Sequence, residues 1–351
     1  MNSDPFCNPG PAPNRSWRLD GPRMLRETIL SEGCLDTDQV RIGFRFCGIC
    51  GSDISTFEGR RNTQFPISLG HEFLAVVEAV GSNVLDVGVG DMVVSDLNYR
   101  CGDCEQCKDG NSHLCIVSGI GSFTNRAFSL RADILPDYLV KVPGDILQPH
   151  YCLAEPLSCV IHAFEHAAAT SQDRVLLLGA GGLGLCAALI ASDLGLQIDI
   201  WDKNEHRLAA LSTAFPNLHP RKPKNAEYDV VLDLTGSISG LELACGAVVG
   251  GGRLVSMSHL DGYGSSEFLL PALTRRDVWF IVSYLNGEKS TLSAAIELLQ
   301  RSWSGNLDEL LQIAPIDSLS NLMERYRSNN FNKCIIDTTS WNASYNGANS
   351  R

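Results

Sequence analysis

The chain is short of positive charge. It has 28 Lys and Arg against 40 Asp and Glu, a net charge of −12. That balance disfavours nucleic acid or an anionic membrane as the main partner, since both are bound through basic surfaces. No run approaches the ~18 apolar residues that a membrane span needs. No internal repeat of the solenoid or propeller kind is present. Residues 1–20 are rich in Pro, Asn, Gly and Ser and contain no apolar h-region, so they read as a flexible N-terminal extension and not as a signal peptide. The thirteen cysteines in 351 residues do not read as a disulfide scaffold either. Cys152, Cys159, Cys186 and Cys245 lie in apolar stretches, where a reduced thiol packs as a small hydrophobe. These absences point to a reducing, cytoplasmic setting. The length admits two domains, each able to bury its own core.

The most informative feature present is Cys101-Gly-Asp-Cys104-Glu-Gln-Cys107 followed by Cys115. Four thiols at this spacing can wrap one ion from a single loop, because Zn²⁺ takes four thiolates tetrahedrally at about 2.3 Å. The residues between them are small or polar, which suits a loop. A disulfide pair and an iron–sulfur cluster are the alternatives. We read the segment as a structural zinc lobe.

From Gly21 to about Pro143, short β-like runs alternate with turn signals. Arg41 to Phe46, Leu74 to Val80 and Asp91 to Ser95 are strand candidates, and the pattern predicts a partly open β-barrel. From about Ser158 the rhythm becomes strand–helix alternation. Val175–Leu178, Ile198–Trp201, Val230–Asp233 and Arg253–Met257 read as strands, with a helix over Leu183–Leu194, as expected of a parallel doubly wound sheet. A strand at Trp279–Ser283, a helix around Thr291–Gln300 and a last strand near Cys334–Asp337 follow, the last returning to the first domain. The expected division is 21–157 plus 289–351 for one domain and 158–288 for the other.

Gly179-Ala-Gly181-Gly182-Leu183-Gly184 follows the strand Val175–Leu178 and opens the next helix. In that context the glycines allow a tight turn and close approach of a pyrophosphate to a helix N-terminus. Asp202 ends the next strand, where an acid accepts hydrogen bonds from a ribose hydroxyl and repels a 2′-phosphate. NAD is therefore favoured over NADP. Lys203 and Arg207 soften that preference without reversing it.

Cys47-Gly-Ile-Cys50-Gly-Ser52-Asp53, with Gly70-His71-Glu72 twenty residues on, adds a second candidate metal cluster of thiolate, imidazole and carboxylate. Together with the four-cysteine loop, Glu155-Pro-Leu-Ser158 and the glycine turn, these motifs make the chain resemble the zinc-containing medium-chain alcohol/polyol dehydrogenases, in their sorbitol- and threonine-dehydrogenase-like branch. The resemblance runs from about Arg23 to Asp337. It implies a Rossmann doubly wound domain (158–288) joined to a GroES-like partly open β-barrel that carries the zinc lobe.

It further implies two zinc ions per chain. Cys101, Cys104, Cys107 and Cys115 would hold the structural one; Cys50 and His71, with Glu72 and Glu155 at or beside the metal, the catalytic one. Cys47 falls at a non-ligand position, and Cys159 beside Glu155 is a minor rival ligand. Gly179, Gly181, Gly182, Leu183, Gly184, Asp202 and Lys203 would meet the cofactor. Lys333 aligns with a basic residue that reaches toward the pyrophosphate and the Glu72 position.

Ser52 occupies the hydroxyl position that accepts the alcohol proton, and Asp53 would orient His71. Ser55 stands where many relatives carry a relay histidine, a departure from the pattern. Asp53-Ile-Ser55-Thr-Phe-Glu-Gly also resembles amino-cyclitol dehydrogenases locally. The implied activity is oxidation of a secondary alcohol in a polyol, sugar or (amino)cyclitol, in a homodimer or homotetramer. A carbonyl reductase in a biosynthetic route and a non-catalytic zinc- or dinucleotide-binding relative are the alternatives. The other histidines, His113, His150, His162, His166, His206, His219 and His259, have no metal spacing of their own.

Overall fold

A computed structural model describes residues 13–96, 100–116, 127–144, 146–258, 273–285 and 289–341. The expectation for His259 lies outside these residues. The first half is built on strands β1 (Asn14–Leu19), β2 (Leu25–Leu30) and β3 (Val40–Gly48), helix α1 (Gly51–Phe57), and strands β4 (Ile67–Ser68), β5 (Glu72–Val80) and β6 (Met92–Ser95). The short helix α2 (Glu105–Lys108) lies in the cysteine loop, followed by β7 (Arg131–Ile134) and β8 (Leu139–Lys141).

The second half begins with α3 (Ala154–Ala167), β9 (Val175–Leu178), α4 (Gly182–Asp193), β10 (Ile198–Trp201), α5 (Glu205–Ala214) and β11 (Leu218–Pro220). It continues with β12 (Tyr228–Asp233), α6 (Ile238–Ala247), β13 (Val248–Ser256) and β14 (Trp279–Val282). A helix over Lys289–Ser302 leads to β15 (Leu311–Pro315), a helix over Leu319–Arg325 and β16 (Lys333–Asp337).

β9 to β14 form one parallel sheet in the order β11-β10-β9-β12-β13-β14. Its central strand Val-Leu-Leu-Leu is buried at every position, because helices cover both faces and neither side can be polar. α3, α4 and the helix Lys289–Ser302 pack on one face with Leu177, Ile198 and Val230, while α6 packs on the other with Leu176, Leu178 and Val231.

A second, mostly antiparallel sheet runs β15-β16-β3-β5-β6-β8, with β7 also on β3. Its own core gathers Ile42, Phe44, Phe73, Phe128 and Trp341. Leaving the parallel sheet, the chain crosses back so that β16 lies antiparallel to β3, Ile336 opposite Cys47.

One expectation is corrected. Residues 14–19, expected to belong to a flexible extension, form β1, which pairs with β2 over six positions and with β4. Leu19 and Ser16 are fully buried there, and Trp17 N–H bonds to Phe128 O at 2.8 Å. The segment is polar in composition, but long-range backbone pairing offsets the entropy of ordering it.

Candidate active site

Cys50 is the N-cap of α1, and Asp53 occupies its first turn. One Asp53 oxygen accepts from Cys50 N–H at 3.0 Å; the other accepts from Gly70 N–H at 3.1 Å and stands 3.5 Å from His71 Nδ1. A single buried carboxylate thus fixes the backbones that present both Cys50 and His71, and it orients the imidazole. Burial alone would raise the Asp53 carboxyl, but the facing His71 ring and the two N–H donors hold it below its ordinary value. Desolvation likewise opposes a charged His71. Asp53 and Cys50 outweigh it, so the ring holds its proton well above its ordinary pKa.

Glu72 starts β5, directly opposite Gly48 of β3. Ligand atoms of Cys50, His71 and Glu72 all lie within 4.8 Å of one another. Glu72 is also ion-paired to Lys333 at the start of β16, and both side chains are almost wholly buried. Burial works against the Lys333 ammonium, but the Glu72 charge more than restores it and raises its pKa. Gly48 makes room for this pair: a Cβ there would sit 2.3 Å from Glu72 Oε2. The same lysine runs along the glycine turn, where a Cβ on Gly182 would meet its Cδ at 3.0 Å. Next to it, Asn332 donates to Ala180 O at 2.7 Å and to Arg207 O at 3.0 Å, tying the returning chain to the parallel sheet.

The turn itself has Gly179 at φ +111°, and a Cβ on Gly184 would lie 2.2 Å from Gly179 O. Asp202 accepts from Ala180 N–H at 2.6 Å and from Asn204 N–H at 2.7 Å, so it shapes the turn. Leu183 is half-buried in α4 and Lys203 is exposed.

The comparisons with known proteins agree with this architecture. Residues 36–143 match the alcohol dehydrogenase GroES-like domain. A D-arabitol-phosphate dehydrogenase of Enterococcus avium is 35% identical over 49% of this chain, and the match spans about half (51%) of that enzyme. A probable D-xylulose reductase A of Neosartorya fischeri is 30% identical, with 75% of this chain and 79% of that one covered. The chain belongs to the zinc-containing medium-chain alcohol/polyol dehydrogenases. A zinc-binding dehydrogenase of Sinorhizobium meliloti, solved with NADP, shares the dehydrogenase fold at a TM-score of 0.82, with 93% of this chain and 99% of that one covered at 19% identity.

Within this dehydrogenase chain the four-cysteine lobe also converges, with Cys101, Cys104, Cys107 and Cys115 inside one 4.8 Å set. All four are free thiols. The sulfurs of Cys101 and Cys107 are 3.9 Å apart, those of Cys104 and Cys115 3.9 Å, and those of Cys115 and Cys101 3.5 Å. A tetrahedron with zinc–sulfur arms of about 2.3 Å has edges of about 3.8 Å, so the donor set fits zinc. Backbone hydrogen bonds from Cys107 and Ile116 draw the Cys104 thiol down to about 6, while desolvation and its neighbours push Cys107 up to about 12. Like groups converging this closely ionise together only around a cation.

Some predicted residues stand apart. Glu155, in the first turn of α3, lies outside the Cys50–His71–Glu72 set and accepts from Cys159 Sγ–H at 3.5 Å. Desolvation pushes its carboxyl up to about 7 against the pull of His71, with repulsion from Glu72 adding. Cys47 is fully buried in the barrel core, outside the ligand set. Ser52 Oγ lies 3.4 Å from His71 Nε2. Sequence reading missed how His113, His162 and His166 gather in space, because they come from the lobe and from α3. It also missed Asp233, buried at the end of β12, which accepts from Thr235, Ser256 and Ser258. Only its place at a strand terminus signalled it.

Proposed function

We propose that this chain oxidises a secondary alcohol of a polyol, sugar or (amino)cyclitol to a ketone, with NAD as acceptor and a zinc ion at Cys50, His71 and Glu72. One observation carries the reading: a single buried lysine, Lys333, touches the ligand set through Glu72 and the glycine turn through Gly182. A metal-ligand set beside a dinucleotide turn is the juxtaposition that hydride transfer from alcohol to nicotinamide requires. The names of the arabitol-phosphate and xylulose relatives support a polyol substrate. Asp202 supports NAD over NADP, because its carboxylate would repel a 2′-phosphate.

When bound, zinc supplies the Lewis acidity that lowers an alcohol's pKa, and the nicotinamide ring supplies the hydride acceptor. Asp53 holds Cys50 and His71 in place for that ion. Ser52 Oγ, beside His71 Nε2, takes the alcohol proton and passes it to solvent, since Ser55 one turn on offers no imidazole. Lys333 and the backbone N–H groups opening α4 attract the pyrophosphate. Of the two glutamates, Glu72 would be the ligand, since its carboxylate groups with Cys50 and His71 and that of Glu155 does not. The lobe would hold the second zinc of each chain.

A homodimer or homotetramer is supported by the edge strand β14, where Trp279, Phe280 and Val282 are exposed. Eleven free thiols among the described residues support a reducing, cytoplasmic setting, although Cys34 is disulfide-bonded. No helix among the described residues is long and apolar enough to cross a membrane.

The test is a screen of polyols, sugars and cyclitols for NAD⁺ reduction, before and after chelation and zinc readdition. Turnover that follows zinc content supports the reading. Undiminished turnover after the Cys50 set has lost its metal would sink it, as would no turnover with two zincs present. Ser52→Ala is expected to lower kcat by about 10²-fold or more with zinc content intact.

A further inference from the structure

The last two turns of α3 carry His162 and His166, four residues apart and so on one helix face. Their Nε2 atoms lie 3.1 Å apart. His162 Nδ1 faces Glu165 Oε2 at 3.5 Å, an arrangement that favours the proton on Nδ1 and leaves Nε2 a bare lone pair. His166 Nε2 facing it either carries a proton and donates it to that lone pair, or offers a second lone pair that a cation must separate from the first. Arms of about 2.05 Å, the usual zinc–imidazole length, would meet at one ion with an angle of about 98°. That angle lies between octahedral and tetrahedral values.

The surroundings are built and held. Arg253 donates to Ala167 O and Ala168 O, each at 2.8 Å, and to Asp173 Oδ1 at 2.6 Å, pinning the end of α3. His113, from the cysteine lobe, packs edge-on against His162 with ring centroids 4.8 Å apart. Among the described residues the three rings do not form a set whose ligand atoms all lie within 4.8 Å of one another, so His113 walls the pair without completing a triad. His162 is buried and His166 exposed, so an ion can enter from solvent.

We propose that His162 and His166 form a further divalent-metal site, a bis-imidazole chelate for zinc or a neighbouring borderline ion, separate from the two cysteine-bearing clusters. Solvent or an exogenous carboxylate would fill the remaining positions. The site lies on the helix whose first turn carries Glu155, and against the lobe.

The probe is Zn²⁺ alone, titrated into tag-free, zinc-loaded protein, with bound metal counted by elemental analysis and affinity read by chelator competition. The expected result is one equivalent beyond those on the cysteine-bearing clusters, with affinity falling at least about tenfold in His166→Ala. His166 is exposed, so this variant tests the site without threatening the fold, and the buried His162→Gln should behave alike. An unchanged affinity in His166→Ala, or no additional equivalent in the natural chain, overturns the proposal.

Discussion

The two cysteine-bearing clusters of this protein are built by opposite strategies. The lobe draws four like ligands from residues 101–115, at the surface, and nothing distant is needed to bring them together. The Cys50 set draws three unlike ligands from a helix start, a turn and a strand start, and holds them with Asp53, Gly48 and Lys333. The first is a local knot, turned by α2 and by the Cys104 N–H on Cys101 Sγ, in which one ion would be the shared partner of all four thiols. The second is a scaffolded opening whose geometry the surrounding fold already supplies. A scaffold of three separate elements can leave a coordination position open for substrate, whereas four thiols from one loop would fill a tetrahedral ion completely.

The largest effect should come from breaking the lobe. Cys104→Ser removes one of four thiolates, and structural zinc sites of this kind contribute on the order of 10 kcal/mol to the fold around them. We expect loss of one zinc per chain, early melting and proteolysis between residues 100 and 116, with the Cys50 set still metallated in the surviving fold. Retention of the full zinc count, measured on the folded fraction, would contradict the contrast drawn here.

The next effect concerns the buried pair that only the scaffolded cluster possesses. In metal-free protein, Lys333→Met strips Glu72 of its buried partner, a change that typically costs about 3–5 kcal/mol. Lys333→Met with Glu72→Gln should recover most of that loss in urea unfolding. Additive losses in the double variant would mean that the two residues stabilise independently. Asp53→Asn should act more narrowly, because it touches the ligands and not the core. Supports of metal ligands are typically worth 10–100-fold in affinity. Chelator competition should show a loss of about that size at the Cys50 set and none at the lobe.

The same contrast explains what could be read in advance. The lobe was legible because its spacing is its structure. The parallel sheet was legible because Val175–Leu178 and its neighbours are continuous apolar runs, a signature of strands covered on both faces. Cys50, His71 and Glu72 were reached by pattern and resemblance; the backbone hydrogen bonds of Asp53 that hold two of them together depend on a contact seventeen residues away. β1 was hidden because its strand character comes from partners at 25–30 and 67–68, not from its own polar composition. The histidine group was invisible for a similar reason: His113 and His162 are distant in sequence and meet only when the lobe folds against α3.

The smallest and most discriminating effects belong to the two glycines that flank Lys333. Gly48→Ala places a methyl against the Glu72 carboxylate and 2.9 Å from Lys333 Cε, where the buried ion pair itself would have to part to make room. Overpacking of this kind costs about 1–3 kcal/mol and should loosen metal as well. Gly182→Ala places its methyl 3.0 Å from Lys333 Cδ and 3.4 Å from Nζ, atoms of a flexible side chain, at the first position of α4. Alanine's helix preference of up to about 1 kcal/mol over glycine should offset that crowding, so stability should hardly change. What should change is the lysine's reach toward a bound dinucleotide, seen as a raised KM for NAD⁺ at nearly constant KM for the alcohol. Equal losses of stability in the two variants would show that Lys333 is as rigidly held on its nucleotide side as on its metal side, and the lysine could not then yield to an arriving pyrophosphate.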